Sequence, residues 1–281
     1  MKDMKLATVV VCYYPNEDLI ENIGSFSDLS DFLYIWDNTP GGSEIVNSIP
    51  TEQNVRKLNI GGGNEGLAFA YNRAIEMAKN EGCTHLMTMD QDSRFEHFEH
   101  FVSTIANHET QGIGMFCPPI NNPDFEQNME VPHAAQSGCV FALEMIDKIG
   151  LFREDFFIGM VDVEMQLKAA RAGYRILCVA GCNLVHHIGS ERQVKFLGNG
   201  VGVSDYNPLR HYYDSRNRIL MWHEFPDDYS FKGKMKHYLN RMKTVGKIAL
   251  FENGKWKKIS AIVKGTYYGL LNKPVPYSFH N

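Results

Sequence analysis

The sequence predicts an α/β fold with a mostly parallel central sheet and a helical extension at its C-terminal end. In the first 120 residues, short apolar and β-branched runs alternate with segments of helical period, a pattern typical of a parallel sheet covered by helices. After residue 207 the spacing of apolar residues becomes largely helical. These two observations favour an α/β unit followed by helices.

Each predicted element follows from local spacing. The first four strands are apolar runs, as expected for parallel strands buried on both faces. They comprise residues 7–13, 32–36, 55–58 and 85–89. Helices follow turn residues and are predicted at 17–25 and 67–79. The less regular segment 112–190 gives short helices at 144–148 and 163–172 and a strand at 175–179, and a longer helix is predicted at 210–222.

Length and composition exclude several classes of protein. A chain of 281 residues with 44% hydrophobic and 22% charged residues can bury a sizeable core, which rules out a disordered, fibrous or disulfide-stapled chain. The net charge of −5 argues against a protein that coats nucleic acid. The six cysteines form no pair of CxxC units, so we predict reduced core residues of a cytoplasmic protein. No apolar run approaches the ~20 residues of a membrane span, and the start lacks a typical signal core.

The charge is unevenly distributed along the chain. From Ser230 onward, eleven Lys and Arg residues stand against one acid, Glu252. Cations and apolar residues are interleaved there, which allows an amphipathic helix at an anionic membrane surface. The alternative is a lysine-rich helix packed on a soluble enzyme. The interleaved residues are Phe231, Lys232, Lys234, Met235, Lys236, Tyr238, Leu239, Arg241, Met242, Lys243, Lys247 and Ile248.

Two aspartates follow the fourth predicted strand. Because Asp90 and Asp92 are two residues apart, their carboxylates can face the same side and converge on one hard cation. A divalent ion at that point would neutralise a diphosphate. The alternative is a solvated acidic turn, since DxD tripeptides recur by accident.

Polar and glycine residues follow the second and third strands. The carboxylate of Asp37 can accept hydrogen bonds from a base imide or a ribose hydroxyl, or it can form an Asx turn or a helix cap. Residues 59–66 contain four glycines, with Asn64 among them, so a ligand can approach the backbone closely. Their spacing matches neither a Walker A loop nor GxGxxG, and a flexible turn is the alternative. Ligands bind at the carboxyl ends of the strands in such sheets, which makes these segments candidates for one cleft.

An acidic pair lies beside aromatic and apolar residues near the predicted helix at 163–172. Partial desolvation raises the basicity of a carboxylate, so either Asp162 or Glu164 is a plausible general base. The alternative is an acidic pair that stabilises the helix dipole.

Histidines and arginines complete the candidate set. His186 and His187 follow an apolar segment, and a neutral imidazole can complete a coordination sphere begun by the two aspartates. Such histidines can equally be packing or surface residues. Arg210, Arg216 and Arg218 offer guanidinium groups suited to phosphate oxygens, with an exposed amphipathic helix as the alternative.

Taken in order, these segments resemble the family-two glycosyltransferases with the GT-A fold, and particularly their rhamnosyltransferase-like branch. The resemblance covers about residues 7–222. It rests on the order of eight segments, which are VVVCYYP at 9–15, WDN at 36–38, the glycine and asparagine segment at 59–72, DQDS at 90–93, SGCV at 137–140, VDVE at 161–164, HHIG at 186–189 and RHYYDSRN at 210–217.

The resemblance implies a fold, a domain organisation and a reaction. The fold is a GT-A Rossmann-like α/β/α sandwich over residues 1–222, with a nucleotide-binding half at about 1–110 and an acceptor and catalytic half at 111–222. Residues 223–281 form a basic helical extension. The reaction is metal-dependent, inverting transfer of a sugar such as rhamnose from a nucleotide diphosphate sugar to a polysaccharide or lipid-linked glycan. From the cysteines and the hydropathy pattern, the expected location is the cytoplasm, either free or at the inner face of the cell membrane.

The resemblance also implies a role for each candidate residue. Tyr13, Asp37 and Asn64 would line the nucleotide pocket, Asp90, Asp92 and His186 would hold Mg²⁺ or Mn²⁺ on the diphosphate, Asp162 would be the base in preference to Glu164, and Arg216 would steady the leaving diphosphate. Asp90 would contact the nucleotide as well as the metal.

Two other functions fit the same fold. A nucleotidyltransferase also places paired aspartates at strand ends, although the glycine- and arginine-rich phosphate loop expected near its first strand is replaced by YYPN at residues 13–16. A non-catalytic protein that binds a nucleotide sugar or a glycan is the other alternative. Neither function calls for a nucleic acid partner.

Overall fold

The computed structural model describes residues 4–108, 112–186, 192–196 and 198–277. The chain forms two compact units. The first comprises Met1–Glu154 and Asp162–His187, and the second comprises Asp155–Val161 and Ile188–Asn281. Among the described helices, none is both long and apolar enough to cross a bilayer.

The first unit is built on a mixed, mostly parallel sheet. Its strands are β1 (Leu6–Cys12), β2 (Phe32–Asp37), β3 (Val55–Leu58), β4 (His85–Asp90), β5 (Ser93–Glu96), β6 (Ile113–Cys117), β7 (Met129–Val131), β8 (Cys139–Ala142), β9 (Arg175–Cys178) and β10 (Asn183–His186). The main sheet has the order β3-β2-β1-β4-β8-β6-β9-β7, and β5 pairs separately with β10. Only β8 and β7 run against the other strands of the main sheet. The predicted fold class is therefore confirmed.

Helices cover both faces of this sheet. They are α1 (Asp18–Gly24), α2 (Glu44–Ser48), α3 (Leu67–Asn80), α4 (Phe98–Asn107), α5 (Leu143–Ile149) and α6 (Val161–Arg171). Because side chains alternate along a strand, Leu6 and Val10 of β1 point to one face, where they join a core cluster with Leu19 of α1 and Phe101 of α4. The opposite face of β1 and β4 packs against α3.

The second unit is largely helical. It contains the hairpin of β11 (Arg192–Phe196) and β12 (Asn199–Val203), followed by α7 (Pro208–Glu224), α8 (Phe231–Phe251) and α9 (Lys255–Leu270). Glycines let α9 approach α7 closely: a Cβ at Gly265 would lie 2.3 Å from the carbonyl oxygen of Tyr212, and one at Gly269 would lie 3.0 Å from that of Arg216. In this division of the chain α7 groups with α8 and α9, and the domain boundary after residue 222 stays a prediction.

The register of the sheet determines where the candidate residues lie. Strands β2 and β4 are both parallel neighbours of β1, with Cys12 opposite Asp37 and Val11 opposite Asp90. Neighbouring strands lie ~4.8 Å apart, so the ends of β1, β2 and β4 form one continuous edge. Asp37 and Asp90 therefore occupy the same carboxyl edge of the sheet.

Candidate active site

Three potential metal ligands lie together just beyond β4. One ligand atom each from Asp90, Asp92 and His186 can be chosen so that all three lie within 4.8 Å of one another. Nδ1 of His186 is 3.4 Å from Oδ1 of Asp92, and the Asp92 side chain is about half exposed, at 47%. Two carboxylates and one imidazole form a donor set that suits Mn²⁺ or Mg²⁺, because these ions accept oxygen ligands and tolerate a nitrogen ligand. These are the same three residues that the sequence analysis selected as candidate metal ligands.

Antiparallel pairing between β5 and β10 brings His186 to the aspartates. In that pair His186 lies opposite Ser93, the residue that follows Asp92. The hydroxyl of Ser93 is 2.7 Å from Nδ1 of His186. Asn121 holds the backbone of His186 from the other side, since its side chain accepts from the His186 amide at 3.2 Å and donates to the His186 carbonyl at 2.9 Å. His187 and the rest of the HHIG segment lie outside the described residues.

A second serine connects this arrangement to Asp90. The hydroxyl of Ser137 donates to Ser93 at 2.7 Å and accepts from the backbone amide of Asp90 at 3.0 Å. Both serines are buried, with 0% and 2% of their surface exposed. Buried hydroxyl groups need hydrogen-bond partners, and such partners fix the orientation of metal ligands. Ser93 and Ser137 are therefore positioned to hold Asp90 and His186 in place.

Asp90 and Asp162 both act electrostatically on the same buried residue, Tyr71. Burial raises the pKa of the Tyr71 hydroxyl, and the negative charges of Asp90 and Asp162 raise it further. Burial and the charge of Asp162 likewise raise the pKa of the Cys139 thiol, and Cys139 is the partner of Thr88 in the β4–β8 pair. Asp162 therefore lies within electrostatic range of residues at the end of β4.

The two acids of α6 have different environments. Asp162, in the first turn of α6, is partly exposed. Glu164 is 1% exposed, and its Oε1 lies 3.2 Å from Nζ of Lys168 one turn later. Lys168 also donates to the carbonyl of Leu151 at 2.6 Å. Of the two carboxylates, Asp162 is the more exposed to solvent.

Asp37 is fully buried and accepts hydrogen bonds from its own loop. Its Oδ1 accepts from the amide of Thr39 at 2.9 Å and its Oδ2 from the amide of Ser43 at 2.7 Å. The first of these contacts is the Asx-turn arrangement that the sequence left as an alternative. Burial raises the pKa of the neighbouring Cys12 thiol, and the charge of Asp37 raises it further. A contact between Asp37 and a nucleobase stays a prediction.

The glycine segment is folded around asparagine side chains. Asn59 donates to the carbonyls of Asp37 and Gly63, both at 2.8 Å, and Asn64 accepts from the amide of Gly66 at 3.0 Å. A Cβ at Gly62 would lie 1.9 Å from Oδ1 of Asn59, so a larger residue there would displace the Asn59 side chain. The segment is thus an ordered loop that connects the ends of β2 and β3 to α3.

Tyr13 is held beside the aspartate segment by Gln91. The Gln91 side chain accepts from the backbone amide of Tyr13 at 2.7 Å and donates to its carbonyl at 3.2 Å. The Tyr13 ring is 45% exposed and meets that of Tyr14 edge-on at 4.7 Å. An exposed aromatic ring at the carboxyl edge of the sheet is available for stacking against a ligand.

Arg216 is buried within the second unit. Its surface exposure is 0%, and its guanidinium donates to the carbonyls of Asp155 and Val275 and to Oδ1 of Asn217. It also lies over the ring of Tyr213, 4.7 Å from the centroid. The predicted contact with a leaving diphosphate stays a prediction, and the contacts that the structure shows are structural.

Sequence reasoning missed the side chains that support the candidate ligands. Ser93, Asn121 and Ser137 were not proposed as functional residues, although DQDS and SGCV were recognised as segments. The sequence offered one signal for Ser137, which is the glycine that follows it. In the structure Gly138 has φ +77°, and its amide donates to the carbonyl of Thr88 at 2.8 Å. No local pattern marked Asn121, because its role depends on a strand 65 residues away.

The chain has a sequence relative among proteins of known function. No protein-family model matches the chain. The dTDP-rhamnosyl transferase RfbF of Shigella flexneri is 28% identical over 236 residues, which cover 76% of this chain and 78% of the relative.

Solved glycosyltransferase structures share the fold. GalNAc-T7 with UDP, GalNAc and Mn²⁺ superposes with a TM-score of 0.59 at 12% identity, and S. aureus TarS with 0.54 at 14%. The mannosyltransferase PcManGT from Pyrobaculum calidifontis, in complex with GDP-Man and Mn²⁺, superposes with 0.56 at 13%. Each comparison covers 96% of this chain, which spans 56%, 53% and 76% of those three proteins, respectively. The sequence relative and these solved structures together support a likeness to rhamnosyltransferase-like glycosyltransferases of the GT-A fold.

Proposed function

We propose that the protein transfers a sugar, with inversion at the anomeric carbon, from a nucleotide diphosphate sugar to a glycan or lipid-linked glycan acceptor. The observation that carries the proposal is the grouping of Asp90, Asp92 and His186 at the end of β4, with the accessible carboxylate of Asp162 in electrostatic range. The name of the Shigella flexneri relative suggests dTDP-rhamnose as the donor. The reaction takes place in the cytoplasm, at the inner face of the cell membrane.

The cluster at β4 serves the leaving group. Asp90, Asp92 and His186 would hold Mg²⁺ or Mn²⁺, and the bound ion would supply positive charge that stabilises the departing diphosphate. Ser93 and Ser137 keep the imidazole and the Asp90 backbone in fixed positions, so less reorganisation is needed when the ion binds. Mn²⁺ in two of the solved neighbours supports the choice of metal for this class of site.

Asp162 acts as the general base. The acceptor hydroxyl oxygen forms a bond to the anomeric carbon, the bond from that carbon to the diphosphate oxygen breaks, and the hydroxyl proton passes to Asp162. The first turn of a helix stabilises an ionised carboxylate, which keeps Asp162 able to accept a proton. Glu164 is less suited to this role because its carboxylate is buried against Lys168.

The nucleotide lies against the ends of β1 and β2. The exposed ring of Tyr13 stacks on the base, and the loop at 59–66, with Asn64, forms the wall beside it. Asp37 shapes this pocket by fixing the amides of Thr39 and Ser43, and a base imide would have to approach a carboxylate that already accepts two hydrogen bonds.

Arg216 contributes to catalysis as a positioning residue. The segment Asp155–Val161 immediately precedes Asp162, and it contains Phe157 and Met160 in the left-handed region at φ 58° and 64°. Such conformations cost free energy and persist only where surrounding contacts enforce them. Arg216 donates to the carbonyl of Asp155, and Asn217 donates to the carbonyls of Phe156, Ile158 and Gly159 at 2.8 to 3.0 Å. These two residues of α7 hold the backbone segment that immediately precedes Asp162, in the first turn of α6.

The test is donor binding and transfer by the full chain. The protein is incubated with dTDP-, UDP- and GDP-sugars, each with Mn²⁺, Mg²⁺ or EDTA, and the melting temperature and the release of nucleoside diphosphate are measured. We expect one donor class to raise the melting temperature, and to raise it further when a divalent ion is present. No stabilisation by any nucleoside diphosphate would refute the proposal, and release of pyrophosphate from a sugar phosphate and a nucleoside triphosphate would indicate a nucleotidyltransferase.

A single substitution separates a transferase from a non-catalytic binding protein. In Asp162→Asn the donor affinity should survive, while transfer falls by about 10²-fold or more because the general base is lost. Glu99→Gln, which neutralises an exposed carboxylate in the first turn of α4, is the matched control and should transfer at the wild-type rate. Equal transfer by Asp162→Asn and wild type would show that another group takes the proton.

A further inference from the structure

One face of α8 packs against α7. The rings of His237 and Tyr238 contact that of Trp222 at centroid distances of 5.3 and 5.5 Å, and Arg241 pairs with Asp214 at 2.6 Å. One turn from the end of the helix, Ile248 is fully buried. Residues 237, 241, 244 and 248 are spaced so that they lie on one side of α8, and we call this side the docked stripe.

A second apolar stripe runs along the opposite face of α8. It is formed by five exposed side chains, Phe231, Met235, Leu239, Met242 and Leu250, whose exposed fractions lie between 46% and 78%. Spacings of four, four, three and eight residues place them on one side of the helix. A helix that only packs on the protein needs a single apolar stripe, so this second stripe requires a separate explanation.

Helix α9 repeats the pattern. Ala261, Ile262 and Gly265 face inward and are buried. On the outer side, Trp256, Val263, Tyr267 and Leu270 are exposed by 85%, 61%, 57% and 55%, again at helical spacing. Sequence reasoning had treated the apolar residues of this region as one set, whereas the structure divides them into a docked stripe and an outer stripe.

The charges of these helices are divided in the same way. The one acid after residue 230, Glu252, is 2% exposed and pairs with Lys258 at 2.6 Å. The outer surface instead carries exposed lysines, none of which forms an ion pair with a described residue: Lys232, Lys236, Lys243, Lys255, Lys257 and Lys264. Exposed apolar side chains flanked by unpaired cations characterise helices that lie in the interface of an anionic membrane.

We propose that the outer stripes of α8 and α9 bind the surface of an anionic lipid bilayer. The apolar side chains enter the boundary between head groups and acyl chains, and the flanking lysines contact the anionic head groups. A second copy of the chain is a poorer partner for this surface, since a self-complementary interface would bring lysines against lysines, and neither α8 nor α9 carries an exposed acid to pair with them. The proposal does not depend on sugar transfer and is tested by lipid binding alone.

The tryptophans provide a direct probe. Trp36 and Trp222 are 7% and 8% exposed, whereas Trp256 on the outer stripe is 85% exposed. Addition of phosphatidylglycerol vesicles to the full chain should therefore shift the fluorescence of Trp256 to shorter wavelength, and the protein should sediment with the vesicles. Phosphatidylcholine vesicles and free glycerol phosphate should do neither, and 0.5 M salt should weaken the binding.

Substitutions on the exposed stripe test the surface without disturbing the core. The double variant Leu239→Gln, Met242→Gln should reduce partitioning into phosphatidylglycerol vesicles by at least about tenfold. Lys236→Gln with Lys243→Gln should reduce both the partitioning and its salt dependence. The matched control is Ile20→Gln, which changes a side chain of α1 that is 51% exposed. All three proteins should melt at the wild-type temperature.

Three results would overturn the proposal. The first is an unchanged Trp256 spectrum with anionic vesicles. The second is equal binding to neutral and anionic vesicles, which would remove the role of the lysines. The third is a dimer in solution that the Leu239→Gln, Met242→Gln variant abolishes, which would make a second copy the occupant of the stripe.

Discussion

The hydroxyl oxygen of Ser93 lies 2.7 Å from Nδ1 of His186. The two residues are 93 positions apart in the chain, and antiparallel pairing of β5 with β10 brings them together. Ser93 is completely buried and also receives a hydrogen bond from Ser137, whose oxygen accepts from the Asp90 amide. The orientation of a candidate metal ligand thus depends on a buried side chain that is not itself a candidate ligand.

The first prediction concerns this support. Ser93→Ala removes the hydrogen bond that orients the imidazole, and loss of such a contact typically weakens metal affinity by about 10- to 100-fold. We expect Mn²⁺ to bind more weakly to Ser93→Ala in a direct titration, while binding of a nucleoside diphosphate in EDTA is unchanged. Ser103→Ala on the exposed side of α4 is the control. Equal Mn²⁺ dissociation constants for Ser93→Ala and wild type would show that His186 does not depend on Ser93.

Much of the first unit could be predicted because its signals are local. The runs at β1, β2 and β4 are continuous and apolar, and each ends in a polar segment, so the positions of Asp37 and Asp90 at one edge followed from the rule for parallel sheets. Strands β5, β6, β7, β8 and β10 were missed because runs of three to five residues carry little periodicity. The support of His186 by Asn121 and Ser93 was missed for a different reason, since it depends on strand pairing and not on spacing along the chain.

The second prediction separates the two acids of α6. Glu164→Gln removes the charge that Lys168 faces at 3.2 Å in a nearly inaccessible site. We expect the free energy of unfolding to fall by about 1 to 3 kcal/mol, as for a buried charged hydrogen bond, with kcat of the folded enzyme unchanged. Urea unfolding and initial rates measure the two effects. A loss of kcat in Glu164→Gln larger than that in Asp162→Asn would move the role of the base to Glu164.

The third prediction concerns Asn217 and the loop before Asp162. Asn217→Ala leaves the carbonyls of Phe156, Ile158 and Gly159 without this donor, so we expect a loss of about 2 to 4 kcal/mol in the free energy of unfolding. If the loop positions Asp162, kcat also falls while KM for the donor is unchanged. Asn240→Ala, on the exposed side of α8, should alter neither quantity.

A purely structural role would give a different result for the same variant. Asn217→Ala would then unfold more easily but show the wild-type kcat per folded molecule. Arg216→Lys adds a second comparison, because it keeps the positive charge but cannot reach several acceptors with a planar fork. We expect its kcat to fall as in Asn217→Ala, and a wild-type kcat in both variants would contradict the positioning role of α7.

Arg216 and Asn217 show that residue spacing alone does not predict which side chains of a helix are buried. Arginine at 216 was selected from the sequence for its affinity for phosphate, which is a property of an exposed guanidinium. The structure buries it between tyrosine rings and backbone carbonyls, an environment that lowers its pKa through desolvation. Whether an arginine on an amphipathic helix faces solvent or the core depends on what packs against that face, and here the packing partners come from the distant segments at 155–159 and 275–277.

The fourth prediction is a loss of stability on acidification that depends on His211. Burial lowers the pKa of this imidazole from 6.5 to about 4, and Arg241 and Lys258 lower it further, against the opposing effects of Glu252 and Asp214. The unfolded chain binds a proton at His211 below pH 6.5, whereas the folded chain binds it only near pH 4. The stability contributed by the neutral imidazole is therefore fully present above pH 6.5 and is lost as the pH falls towards 4.

Replacement of His211 should make the unfolding free energy less dependent on pH. His211→Phe keeps an aromatic ring in the buried site and removes the titration, so its decrease in stability between pH 7 and pH 5 should be smaller than that of the wild type. His223→Phe, on the exposed end of the same helix, is the control and should retain the wild-type slope. His85 and His237, whose pKa values burial also lowers to about 4, account for a residual slope in the variant. Parallel slopes for His211→Phe and wild type in urea unfolding would mean that His211 is not buried as a neutral group.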